Sequence, residues 1–352
     1  MFVLIRELVA TGIDASVYQP QESCDALIVG QTQRYQALAP LLRRVRCSGT
    51  VVILDVTNDV FSSVESHANA KRYSGLATPI WWAYRARLRI QRFLHLGNWG
   101  NAPRFWQECD AVVAGSKLQA EKYKGYIPRR YDIVDPVDPK EYRSQADYYG
   151  REPIIIAWEG SRDNLPYLRS YVAPLRHLIE KGGIKLRVIL DRYRSTPYHG
   201  IIDNEQLLRE WRLPADFIEW EMNTFSGHLA SADIGIAPLP IHDPFSWVKP
   251  ANKILGYGYL GLPVVASAIP SYVETLNEAH FGFPAAQNQD WINAIEHLAS
   301  DVRLRKEMGE CGHAYVRQQH MPEHFAKRYL KVIHEVAGQN LESVGTQSGM
   351  HA

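Results

Sequence analysis

Apolar residues along this chain fall into two alternating textures. Short runs dense in Val, Ile, Leu and Ala lie at 14–18, 26–29, 50–56 and 111–115, and again at 154–158, 186–190, 217–220, 234–238 and 264–266. Between them, apolar positions recur at helical spacing over 35–46, 166–181, 205–212, 250–260 and 291–300, with a long mixed stretch at 62–109. The short runs read as strands and the helical spacing as helices. Strands that are apolar at consecutive positions are buried on both faces, and with helices between them they make parallel sheets. The pattern predicts an α/β protein built of two doubly wound, Rossmann-like arrays.

The border between the arrays falls in 135–151, DPVDPKEYRSQADYYGR, where prolines and charges without period precede the fresh strand PIIIAW. The domains expected are 1–145 and 151–320. Helical patterns at 303–318 and 323–336 follow. The segment 321–338 is expected to pack back toward the N-terminal domain, with polar 339–352 as a flexible tail. Residues 2–10 read as a helix where a doubly wound domain ordinarily opens with a strand and a glycine turn, so the first strand is expected to be missing.

Composition narrows the classes. Of 352 residues, 46% are hydrophobic and 22% charged, the balance of an ordinary globular chain, and 20 Pro and 24 Gly are scattered without period. Lys+Arg 39 against Asp+Glu 38 leaves a formal charge of +1, which provides no general field for nucleic acid. Cys24, Cys47, Cys109 and Cys311 lie far apart with no C-x-x-C pair, as expected of reduced, mostly buried thiols in a cytoplasmic protein. No apolar run reaches the ~18–20 residues of a membrane span. Arg6 and Glu7 interrupt the opening apolar run, which reads as a helix and not as a signal peptide.

In open parallel sheets, ligands bind beyond the carboxyl ends of the strands. After PIIIAW come Glu159, Gly160, Ser161, Arg162, Asp163 and Asn164. Gly160 lets a backbone approach a ligand, and Ser161 or Asn164 offers a cap or a donor where the next helix begins. A plain strand–helix turn is the alternative. After the strand DIGIAPLP, Lys249 and Lys253 stand four apart and are expected on one face at a helix start. Cations there oppose the helix dipole, and an anion bound between them would reverse that sign, a geometry suited to a diphosphate. A solvated lysine pair is the alternative. In the first array, Asp55, Asn58, Asp59 and His67 follow a buried strand, where a carboxylate or imidazole can orient or deprotonate a hydroxyl. As turn formers or surface groups they would have no such role. The 13 histidines show no metal-ligand spacing.

The stretch SADIGIAPLP at 231–240, the KPANK turn, GLPVVAS, SYVETLNE and Gly282–Phe283 resemble the C-terminal half of GT-B glycosyltransferases, most of all the nucleotide-sugar-dependent group 1, family-four type. IIIAWEGSRDNL resembles that half's first strand and glycine loop. VVILDVTNDVF, CDAVVAGSKLQAEKY and IVDPVD are similar to segments of the N-terminal half. The resemblance implies two Rossmann-like domains facing a cleft, with an acceptor domain and a nucleotide-sugar domain. It implies donor contacts at Gly160, Ser161, Arg162, Asn164, Lys249 and Lys253, and at Glu274, which matches a carboxylate after the G-x-P strand. The family's two glutamates eight positions apart are replaced by Val248 and Gly256. Asp243 is then a substitute toward sugar hydroxyls, with Asp59 and His67 as the other catalytic candidates.

The expected reaction is transfer of a sugar from a nucleotide diphosphate-sugar to a hydroxyl acceptor, by the family's habit with retention and without metal or other cofactor. The acceptor would be a saccharide or a lipid-linked hydroxyl in surface polysaccharide or glycolipid assembly. The segment 71–106, with Arg72, Trp81, Trp82, Arg85, Arg87, Arg89, Arg92, Trp99, Arg104 and Trp106, has the pattern of an amphipathic surface on anionic lipid at the inner face of the membrane, equally of a cradle for an anionic or polyprenyl-linked acceptor, or of a solvated basic face over core aromatics. Two other functions fit the same residues: a catalytically inactive nucleotide-sugar-binding protein, and a sugar-nucleotide epimerase.

Overall fold

The computed structural model describes residues 2–10, 12–17, 19, 23–30, 35–56, 104–143, 145–148, 152–161, 164–196 and 200–347. The chain divides into two compact units, Met1–Asp135 with Pro322–Ala352, and Pro136–Met321. Both are α/β with parallel sheets.

In the first unit, helix α1 (Phe2–Ala10) precedes strand β1 (Ala26–Gly30), helix α2 (Tyr35–Cys47) and strands β2 (Val51–Val56), β3 (Ala111–Ala114) and β4 (Arg129–Asp132). The strands pair in parallel in the order β1-β2-β3-β4. Alternation along β2 supplies both faces of the sheet. Val52 and Leu54 pack with Leu42, Phe105 and Trp106, whereas Val51 and Ile53 pack with Leu4, Leu8, Phe325 and Tyr329. The second face is thus covered by helices from opposite ends of the sequence. Residues 14–18, expected as a strand, form none among the described residues. The segment DASVY has a single β-branched residue, Val17, which is too weak a strand signal to decide so short a stretch.

The second unit opens with β5 (Ile154–Glu159), a helical segment split into α3 (Leu165–Leu168) and α4 (Val172–Lys181), and β6 (Ile184–Leu190). The antiparallel hairpin β7 (Tyr193–Thr196) and β8 (Gly200–Asp203) follows, then β9 (Asp216–Glu219) at the far edge of the main sheet and the strands β10 (Ile234–Ala237), β11 (Val264–Ser267) and β12 (Gly282–Ala285). The six parallel strands lie in the order β12-β11-β10-β5-β6-β9. The order runs outward both ways from β5 and β10, so the topological switch point lies between those two strands. Their pairing covers Ile234↔Ile156 and Gly235↔Ala157, short of both carboxyl ends. A crevice at such a place is where open α/β sheets take ligands.

The border between the units lies at 135/136, within the expected stretch 135–151. Residues 136–148 pack on the second unit, where Gln145 Nε2 donates to Tyr259 O at 3.0 Å and Tyr148 Oη to Gly261 O at 2.7 Å. The last helix runs Pro322–Gln347, past the expected end at Gly338. A mid-helix glycine costs only ~1 kcal/mol against alanine and does not by itself stop a helix. Of the four free thiols Cys109 is buried, Cys24 half-buried, and Cys47 and Cys311 exposed, so the thiols are not mostly buried. Cys47 and Cys311 sit on solvent-facing helix positions.

Candidate functional site

The loops leaving β5 and β10 flank the switch point. After β5, the Gly160 amide donates to Ile189 O at 3.2 Å, so that group belongs to the sheet edge and is not free for a ligand. A Cβ on Gly160 would lie 2.7 Å from the Trp158 ring, which explains the glycine by packing. Ser161 is exposed. Asn164 occupies the N-cap of α3 without a side-chain cap bond, leaving its carboxamide unused by the helix. Arg162 lies outside the described residues.

After β10 the chain is pinned from several sides. Tyr171 Oη and Ser267 Oγ meet at 2.9 Å, and Leu239 N donates to Ser267 Oγ at 2.7 Å. Asp243, buried, accepts from Phe245 N at 3.1 Å and caps the short helix Pro244–Trp247. Its carboxylate thus holds the loop in shape, which is the physical reason for this residue rather than a demonstrated contact with a sugar. Ser271, in the first turn of the helix Pro270–Ala279, donates to Lys249 O at 2.6 Å. Glu274 is exposed one turn further along that helix.

 The helix that carries Lys253 is Asn252–Leu260. Lys249 is not on it, contrary to the expectation of one shared helix face. It precedes Pro250, and the residue before a proline is pushed out of the helical region, so the helix starts with Ala251 as N-cap. Lys249 Nζ instead sits over two aromatic rings, 4.7 Å from the Tyr167 centroid and 5.1 Å from that of Phe245. Among the described residues no carboxylate forms an ion pair with it. Burial lowers its pKa to about 8, the like charge of Lys253 adds to the shift, and Asp243 opposes it.

Lys253 is engaged differently. Its Nζ meets Glu159 Oε2 at 3.0 Å and also donates to Glu159 O. One turn on, the hydroxyl of buried Tyr257 accepts from Glu159 N at 3.0 Å and lies 3.4 Å from Ile236 O, so the phenol joins the ends of β5 and β10. The positions where the resemblance leads one to look for glutamates hold buried Val248 and Gly256. A Cβ on Gly256 would lie 2.5 Å from the Tyr142 hydroxyl, so that phenol occupies the space of a side chain at 256. Tyr257, Tyr142, Tyr167 and Phe245 were not candidates from the sequence, and Glu159 stood in the candidate stretch after PIIIAW without a role of its own. The four-residue step from Lys253 to Tyr257 was the available signal.

In the first unit, Asp55 lies near the carboxyl end of β2, partly buried. Burial raises its pKa to about 6; the Tyr329 hydroxyl works against the shift and Asp135 adds to it. Asp59 and His67 lie outside the described residues, as does most of 71–106. Of that segment, Phe105 and Trp106 are described and buried, Trp106 packing edge-on to Tyr123 with centroids 5.2 Å apart, so it belongs to the core and not to a lipid-facing surface. A carboxyl group with a raised pKa destabilises the fold once pH exceeds its unfolded value, fully so above its folded one. For Asp55 the cost at neutral pH is of order 3 kcal/mol. Asp55→Asn is therefore expected to raise the melting temperature at pH 7.5 by several degrees, with the gain disappearing near pH 4. Equal melting differences at the two pH values would show that ionisation of Asp55 is not what burial penalises.

No protein-family model matches the sequence, and no curated protein matches it. Solved structures do match in fold. Sucrose-phosphate synthase from Thermosynechococcus elongatus superposes with a TM-score of 0.61 at 14% identity, over 91% of this chain and 75% of that one. WaaG, a glycosyltransferase involved in lipopolysaccharide biosynthesis, gives 0.56 at 15% identity over 94% of each chain. The α,α-trehalose 6-phosphate synthase of Burkholderia multivorans gives 0.58 at 13% identity, over 97% of this chain and 74% of that one. The fold is that of the GT-B glycosyltransferases. Among the described residues no helix is long and apolar enough to cross a membrane.

Proposed function

We propose that the protein is a glycosyltransferase that moves a sugar from a nucleotide diphosphate-sugar to a hydroxyl acceptor, with the donor diphosphate at the switch point of the second unit. One observation carries this reading: the Lys249 ammonium is held between Tyr167 and Phe245, in the loop that leaves β10, and forms no ion pair with a carboxylate among the described residues. A cation kept in that state disfavours the empty site and favours an anion. The exposed Ser161 hydroxyl and the Asn164 carboxamide are the further donors, and the departing diphosphate is stabilised by fixed charge rather than by covalent chemistry. The fold neighbours support the class of reaction, and a TarM structure among them is in complex with UDP. The reading extends, on resemblance, to retention at the sugar carbon, to a reaction without metal or other cofactor, and to a saccharide or lipid-linked acceptor.

A thermal-shift panel of UDP-, GDP-, ADP- and dTDP-sugars, with a CMP-sugar as the monophosphate control, tests the site. A bound donor at 100 times its Kd adds about 2.7 kcal/mol of stability. At least one diphosphate donor is expected to stabilise the protein and to yield transfer product with a hydroxyl acceptor. No response to any of them would overturn the proposal. Binding without turnover would point to the non-catalytic reading, and product from donor alone to the epimerase.

A further inference from the structure

Glu159 ends β5, and all three of its polar groups are taken by one face of the helix Asn252–Leu260. Lys253 Nζ holds the carboxylate at 3.0 Å and the backbone oxygen as well. The Tyr257 hydroxyl holds the backbone N–H at 3.0 Å. Lys253 and Tyr257 are four apart, so one helical turn grips a single residue from both sides. The same ammonium lies 5.8 Å from the Trp158 ring centroid, and Trp158 fills the space beside Gly160. The grip therefore fixes the strand end from which the Gly160–Ser161 turn departs.

We propose that Lys253, Glu159 and Tyr257 form a clamp across the switch point, and that Lys253 is a positioning residue that sets the Gly160–Ser161 turn rather than a ligand of the diphosphate. This rests on the function proposed above and deepens it. Charge matching supports it: the Lys253 ammonium already has an anion, whereas Lys249 has none among the described residues. The geometry supports it too, since a backbone oxygen and a carboxylate from one residue occupy Lys253 together. Loss of either partner frees the turn, and misplacement by about 1 Å at a binding group can cost up to about 100-fold in rate.

The two roles predict opposite signs for one substitution. If Lys253 bound the anion, Glu159→Gln would release its ammonium and tighten binding. Under the clamp, Glu159→Gln and Lys253→Met both weaken it, each by about tenfold, the equivalent of ~1.4 kcal/mol. The double variant is then no worse than the poorer single, because both changes remove the same contact. Lys253→Arg restores part of the affinity. The measurement is titration calorimetry with inorganic pyrophosphate and with UDP, GDP, ADP and dTDP, well below each variant's melting temperature. A gain of affinity in Glu159→Gln, or a double variant much weaker than Glu159→Gln alone, overturns the clamp. If the wild type binds none of these probes, the proposed function fails instead, which keeps the two failures apart.

Discussion

Lys249→Met is expected to lose diphosphate affinity by about 10- to 100-fold while making the ligand-free protein more stable. The first effect follows from removing a charge-assisted contact worth about 1.5–3 kcal/mol. The second follows from the ammonium's surroundings. Its folded pKa of about 8 lies below the ordinary 10.5, so the charged form is penalised in the folded state. That penalty is complete below pH 8 and is relieved as pH rises from there toward the unfolded value. It amounts to about 3 kcal/mol, of which the two aromatic rings return roughly 1–2 kcal/mol. Methionine, of similar length and apolar, should leave a net gain of about 1–2 kcal/mol without ligand. A cation placed at a cost to stability is what the proposed binding role requires of this position.

The opposed signs separate loss of a ligand group from loss of the fold. The pH profile separates charge from shape. From pH 7 to 9.5 the phosphate charge is constant, since its second ionisation lies near pH 6. Wild-type affinity for UDP or another accepted nucleoside diphosphate should fall above pH 8, as Lys249 gives up its proton in the free protein. Lys249→Arg, which stays charged throughout, should show a flat profile. Calorimetric titration across that range is the check. A wild-type profile without a fall above pH 8, together with unchanged affinity in Lys249→Met, would remove this lysine from the site.

Particular residues show what the sequence could and could not reveal. The centre of the second unit was legible because β5, β10 and β11 are apolar at nearly every position, as is β6 over Val188–Leu190, which a strand buried on both faces requires. Strand β4, Arg129–Asp132, was not, because an edge strand needs no apolar run and RRYD has none. The hairpin of Tyr193–Thr196 with Gly200–Asp203 was missed for a similar reason. Lys249 and Lys253 were legible as a pair near the carboxyl end of β10. Their unlike surroundings were half-legible, since Pro250 announces that Lys249 stands outside the helix. The clamp on Glu159 was not legible, because it joins residues 94 positions apart that meet only when the sheet order places β5 beside β10.

Gly256→Glu is expected to lower the melting temperature by roughly 5–10 °C rather than to restore a missing carboxylate. A Cβ at 256 would stand 2.5 Å from the Tyr142 hydroxyl and 2.9 Å from its Cζ, well inside contact distance. The ring has little freedom to withdraw, because it packs edge-on against Phe225 at 5.5 Å and Tyr259 at 6.3 Å between centroids. Overpacking of this kind costs about 1–3 kcal/mol. A carboxylate placed near Glu159 adds repulsion, while replacing a mid-helix glycine returns up to ~1 kcal/mol. A net loss of about 2–3 kcal/mol corresponds to that fall in melting temperature for a unit of this size. Tyr142→Ala opens the space, so Gly256→Glu should cost much less in a Tyr142→Ala background than in the wild type. Additive losses in that cycle would mean that the two positions do not share the space. Non-additive ones would make the glycine and the tyrosine a single packing solution, in which the carboxylate at this crevice comes from Glu159 on β5 and is already paired with Lys253.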